Sequence, residues 1–154
     1  MLKDLLNPST VRLQVDVTNW EEAGKEAGKL LLQNHFIQED YITRMIQAVH
    51  EYGPYIVIAP GIALFHARPE SSVKKICLSM ITLKNPVNFG AGENDPVYLV
   101  FALAAIDHDS HLKLMANLMT ILQDAELLDF IRKETNITKV LENIYEKIDT
   151  EDKK

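Results

Sequence analysis

From Val11 to Val17 the chain alternates: Val11, Leu13, Val15 and Val17 are separated by Arg12, Gln14 and Asp16. Period two with β-branched residues predicts a strand buried on one face. The period then lengthens. Ala23, Ala27, Leu30 and Leu31 share one face of a helix running to about Asn34, opened by a capping box at Thr18 to Glu21. Gly24 and Gly28 either weaken that helix, by about 1 kcal/mol each relative to Ala, or admit a close neighbour. Tyr41, Met45, Ala48 and Val49 mark a second helix over residues 39–51, ended by Gly53-Pro54.

Beyond residue 54 the apolar runs shorten. Tyr55–Ile58 and Ile62–Phe65 read as strands separated by the breaker Ala59-Pro60-Gly61. A further strand is expected over Lys75–Leu83, with a turn at Asn85-Pro86 and a loop over Phe89–Pro96. Val97–Ile106 (VYLVFALAAI) is apolar on both faces, as a central strand is. After the polar break Asp107–Ser110, a helix capped by Asp109 or Ser110 carries Leu112, Leu114, Leu118 and Ile121. A short helix over Ala125–Lys133 and a last one capped at Thr135 or Asn136 follow, and the tail 149–154 is expected to fray. Strands alternate with helices, and helices stand at both ends. The predicted class is α/β, a mixed β-sheet flanked by helices on both faces, in one domain over residues 1–154.

Composition fits this picture: 154 residues, 47% hydrophobic and 25% charged, are enough for a real core. Sixteen cationic against 22 acidic side chains give a net charge of −6. That argues against a phosphate-neutralising nucleic-acid surface and favours a basic or neutral protein partner. A single cysteine, Cys77, rules out an internal disulfide and a Cys-rich zinc site, and reads as an inert core thiol. The opening MLKDLLNPST lacks the apolar core of a signal peptide, and the longest apolar run is too short to span a bilayer. A cytoplasmic location is expected.

Of the five histidines, His35 and His50 fall near helix ends, where a cation suits the dipole. His66 ends an apolar strand, and His111 opens the helix after the most buried strand. Strand ends in α/β sheets aim reactive groups into a crevice. If the two strands are neighbours, the two imidazoles meet. Such a pair suits phosphoryl transfer through a covalent intermediate. One neutral imidazole is the nucleophile; the other, backed by a helix N-terminus, stabilises the phosphoryl oxygens. Arg68 would add a planar cation. Asp107 would accept a histidine N–H and fix its tautomer, or cap the helix. A separate reading makes His66, His108 and His111 ligands of a metal.

Gly61-Ile62-Ala63-Leu64-Phe65-His66-Ala67-Arg68-Pro69-Glu70 resembles the phosphorylation-site motif of the mannitol/fructose-type enzyme IIA domains of the bacterial phosphotransferase system, usually Gly-hydrophobic-Ala-hydrophobic-Pro-His. The resemblance continues through Pro86-Val87-Asn88-Phe89, Asn94-Asp95-Pro96-Val97 and Ala104-Ala105-Ile106-Asp107 to Ser110-His111-Leu112, and covers residues 4 to 133. The wording from Gly53 to Glu70 is most similar to the ascorbate-type subgroup. The resemblance implies that His66 takes a phosphoryl group from the carrier HPr and passes it to a cysteine of a cognate IIB domain, with His111 as the second active-site histidine. It also implies a mannitol-type IIA sandwich, no metal or organic cofactor, and contact with the membrane only through a IIC component. The sugar expected from the subgroup is L-ascorbate. The alternative is a regulatory module of the same fold, signalling through the phosphohistidine.

Two positions depart from the family pattern. Phe65 stands where proline is usual, which puts a large apolar group at the mouth of the site, in an apolar patch with Ile62 and Phe89. Ala48 falls where mannitol-type members carry an arginine, leaving Arg68 or Arg44 to meet the phosphate.

Overall fold

The structure is a computed structural model and describes residues 2–68 and 72–153. Pro69 and Glu70 of the motif, and Lys154 of the tail, lie outside the described residues. Five strands, β1 (Val11–Val15), β2 (Val57–Ala59), β3 (Ile62–Phe65), β4 (Cys77–Val87) and β5 (Val97–Ala104), form one sheet in the order β1-β4-β5-β3-β2. β1 runs parallel to β4, and β3 parallel to β5. β4 with β5 and β2 with β3 are antiparallel, so the sheet is mixed. The fully apolar β5 is the central strand, as its sequence requires.

The pleat sorts side chains to two cores. Ala63, Phe65, Val100 and Ala102 face a layer made by α2 (Trp20–Gln33) and α3 (Glu39–Tyr52). Ile62, Leu64, Leu99 and Phe101 face the opposite layer, built from α1 (Leu2–Leu5), α4 (His108–Leu122), α5 (Ala125–Lys133) and α6 (Ile137–Asp152). Gly24 and Gly28 admit close neighbours: a β-carbon at 24 would lie 2.7 Å from the Phe65 ring, and one at 28 would lie 2.9 Å from Ile42 Cγ1. Gly61 turns β2 into β3 at φ +79°, and a β-carbon there would meet the Tyr98 ring at 2.6 Å. Cys77 is buried, which pushes its thiol up to about 12.

Several boundaries differ from expectation. The α2 cap is Asn19, whose side chain accepts the Glu22 N–H. Thr18 bonds the Glu22 carboxylate, so the reciprocal pair is displaced by one residue. β4 continues through Asn85-Pro86, where a turn was expected. Its pairing with β5 shifts register between Thr82 and Val87, the kind of interruption that tolerates a strand proline. α6 remains helical to Asp152 instead of fraying from 149. Helices were expected at both ends, but no segment before Val11 was assigned to one: the four residues of α1 show too little periodicity to read, yet Leu2 and Leu6 are buried against the sheet.

Candidate active site

Because β3 lies beside β5, with Phe65 paired to Ala102, the two strand exits deliver their histidines to one place. The His66 and His111 rings stand 5.9 Å apart, centre to centre, tilted by 55°. They share a cavity of about 690 Å³ with Arg44, Tyr55, Arg68 and His108. His66 is half-buried. Its Nδ1 lies 2.9 Å from the Leu64 carbonyl oxygen. A carbonyl only accepts, so Nδ1 carries the hydrogen and the neutral ring keeps the Nε2 lone pair for chemistry. Tyr55 meets the same ring edge-on at 5.5 Å.

His111 occupies the first turn of α4, its backbone N–H bonded to the Asp107 carbonyl. Burial, then the positive charge that His66 and His108 could carry, hold its imidazole below the ordinary value of 6.5. His111 therefore stays neutral near pH 7, able to donate one hydrogen bond. The N-terminus of α4 borders the cavity through His108 and His111, and its dipole favours an anion there.

Asp107 takes the second of its two anticipated roles. Its carboxylate accepts the Ser110 N–H at 2.7 Å as the N-cap of α4, displacing the expected cap at Asp109 or Ser110. That bond holds the carboxyl below the usual carboxylate range. The side chain is exposed, does not line the cavity and has no histidine among its hydrogen-bond partners. Arg68 borders the cavity from the exposed segment after His66. Arg44 borders it from α3, one helical turn before Ala48. Among the described residues, no group of three His, Cys, Asp or Glu side chains is arranged to hold a metal, so the three-histidine metal reading finds no site.

Phe65 is not at the mouth. It is fully buried, near-parallel to the Trp20 ring at 6.5 Å and tilted against Phe89 at 5.9 Å. Ile62 and Phe89 are buried too, so the expected apolar patch of these three does not exist at the surface. The reason is the pleat: Phe65 alternates with Leu64 and follows Ala63 into the α2/α3 core. The exposed apolar side chains near the site are instead Tyr52, Tyr55, Ile106 and Leu112. Sequence reasoning also passed over Tyr41, whose apolar-face position hid a hydroxyl bonded to Ala67 and Leu103.

Residues 4–147 match the family described as "Phosphoenolpyruvate-dependent sugar phosphotransferase system, EIIA 2". The chain is 35% identical to the ascorbate-specific PTS system EIIA component of Escherichia coli K12, over 91% of this chain and 92% of that protein. Its fold is similar to the mannitol-specific cryptic phosphotransferase enzyme IIA CmtB of Escherichia coli, with a TM-score of 0.81 at 31% identity, covering 93% and 96% of the two chains. It is also similar in fold to a solved complex of enzyme IIAMTL and phosphorylated enzyme IIBMTL from Escherichia coli, with a TM-score of 0.81 at 23% identity, covering 92% and 99%.

Proposed function

Because this chain belongs to the EIIA 2 family of the phosphoenolpyruvate-dependent sugar phosphotransferase system, we propose that His66 is its phosphoryl-carrying residue, acting through Nε2. The observation that carries this reading is the His66–His111 pair: one ring with its Nδ1 hydrogen held by Leu64, the other 5.9 Å away and kept neutral. The Nε2 lone pair attacks the phosphorus of the donor, phospho-HPr, and the donor's bond to phosphorus breaks as the N–P bond forms. A cysteine thiolate of the cognate IIB component then attacks the same phosphorus, the N–P bond breaks, and its electron pair returns to Nε2. Such transfer asks for positioning and charge stabilisation rather than covalent help. His111 donates a hydrogen bond to the phosphoryl oxygens, the α4 N-terminus adds its dipole, and Arg44 and Arg68 supply positive charge.

The ascorbate-specific relative supports L-ascorbate as the sugar of the system. The chain itself need not touch the sugar. Exposed Tyr52 and Tyr55, together with Ile106 beside the α4 cap and Leu112 beside His111, offer an apolar rim for partners that dock briefly. Among the described residues no helix is long and apolar enough to cross a membrane, which fits a component that works from the cytoplasm and meets the bilayer only through a IIC partner.

Incubation with phosphoenolpyruvate, enzyme I and HPr tests the proposal. An acid-labile phosphoryl group on His66 is expected, absent in His66→Ala, and discharged by an ascorbate-type IIB component. No label on His66 overturns the phosphocarrier reading. Label that IIB does not remove overturns the transport role.

A further inference from the structure

Tyr41 is fully buried between α3 and the sheet, yet its hydroxyl is bonded in two directions. It accepts the Ala67 N–H at 3.0 Å and donates to the Leu103 carbonyl at 2.8 Å. The Ala67 carbonyl stands further off, at 3.3 Å, and the single hydroxyl hydrogen serves the nearer acceptor better. Ala67 follows His66, so its N–H belongs to the peptide plane that leaves the histidine. Leu103 is the penultimate residue of β5, shortly before the Asp107 cap of the helix that carries His111. One hydroxyl therefore ties α3 to the exit of β3, where His66 sits, and to the end of β5, which leads to the helix carrying His111.

A hydroxyl that accepts and donates at once polarises both bonds, and more so away from water. Burial pushes the phenol up to about 12, so it stays a neutral donor and acceptor through the physiological range. The His66 ring is held from one side by Leu64 and its backbone from the other by Tyr41. Without the second hold, the peptide plane after His66 can rotate and carry the ring with it.

We infer that Tyr41 is a positioning residue for phosphoryl transfer: its hydroxyl fixes the His66–Ala67 peptide and the end of β5, and so sets the His66 ring against His111. The inference rests on the phosphocarrier reading. Tyr41 touches neither the phosphoryl group nor a partner, so its loss acts on turnover and leaves docking alone.

Tyr41→Phe keeps the ring and removes only the hydroxyl. Transfer from phospho-HPr is expected to fall about tenfold to a hundredfold in kcat, the range for a small misplacement of a reacting group, with KM unchanged. Ser79→Ala is the control. It deletes another fully buried hydroxyl, bonded to the Ala27 carbonyl at 2.7 Å under α2, and should leave kcat alone. Nitrogen NMR of His66 should report one Nδ1–H tautomer in the wild type and a mixture in Tyr41→Phe. Wild-type kcat in Tyr41→Phe, an equal fall in Ser79→Ala, or an unchanged His66 tautomer each overturns the inference. The wild type supplies a measurement that needs no variant: a slowly exchanging Tyr41 hydroxyl proton with a cross-peak to the Ala67 amide, whose absence also overturns it. Failure of the wild type to label at all would instead strike the phosphocarrier reading, since the tautomer and hydroxyl measurements do not depend on turnover.

Discussion

Gly24 and Phe65 are complementary across the α2–sheet interface: the missing side chain of one is filled by the ring of the other, 2.7 Å from where a β-carbon would stand. Phe65 is the residue before His66, so this contact seats the strand that leads to His66 against a helix. In an exposed helix, Gly→Ala stabilises by about 1 kcal/mol. Here overpacking against Phe65 and Ile46 dominates, and Gly24→Ala should destabilise by about 1–3 kcal/mol. Denaturant unfolding decides the sign. A stabilised variant would show that the ring gives way freely.

Phe65→Pro places at this position the residue usual in the family motif, but it empties the pocket formed with Trp20 and Phe89. Large-to-small changes at fully buried aromatics cost about 3–5 kcal/mol. Phe65→Pro should therefore unfold at lower denaturant, whereas Phe65→Leu loses less. Equal midpoints for Phe65→Pro and the wild type would refute the anchoring role.

Asp107→Asn keeps a side-chain acceptor for the Ser110 N–H, and Asp107→Ala does not. As a cap, Asp107 should tolerate Asn with little change in stability or transfer. Ala should loosen the first turn of α4, and with it His111. A transfer rate that falls as far in Asp107→Asn as in Asp107→Ala would mean that the negative charge, not the cap, is what the site uses.

Strongly periodic segments were legible from the sequence because their patterns report burial directly: β3, β5 and α5 appear with little or no change, and β5 is central as its two apolar faces require. The α6 cap falls on Asn136, one of its two expected positions, but the caps of α2 and α4 were off by one or more residues, since Thr18 and Asn19, or Asp107, Asp109 and Ser110, are all competent by composition and only geometry chooses among them. The turn expected at Asn85-Pro86 failed because a register shift lets a strand pass a proline. The His66–His111 pair was legible from strand ends and family motif together. Phe65 was misplaced although period two already aligned it with buried Ala63; its neighbour in the motif drew attention to the mouth instead. The Tyr41 bonds to Ala67 and Leu103 join segments far apart in the chain, and no local pattern encodes them.

Arg44 and Arg68 approach the cavity differently, one from the framework of α3 and the other from an exposed segment. A hydrogen bond to a charged group is worth about 1.5–3 kcal/mol, or roughly 10–100-fold in rate if made only in the transition state. Arg44→Gln should slow transfer within that range, and Arg68→Gln by less, because a side chain in water is screened and poorly held. Rapid-quench kinetics with phospho-HPr separates them. A larger loss in Arg68→Gln would make the exposed arginine the phosphate partner.

The depressed pKa of His111 gives two pH effects of opposite origin. In the resting protein, burial and the neighbouring histidines keep its native value below 6.5, while the unfolded chain titrates near that value. The unfolded state therefore binds the proton more readily. The contribution of His111 to stability is complete above about 6.5 and disappears as pH falls through the native value. His111→Ala should flatten this part of the stability profile. Phosphorylation of His66 places an anion one ring away, which favours the charged form of His111 and should raise its pKa. Proton NMR of the His111 ring, titrated before and after phosphorylation over the range in which the N–P bond survives, should show the midpoint moving upward. An unmoved midpoint would mean that the phosphoryl group points away from His111 and that the second histidine does not stabilise it.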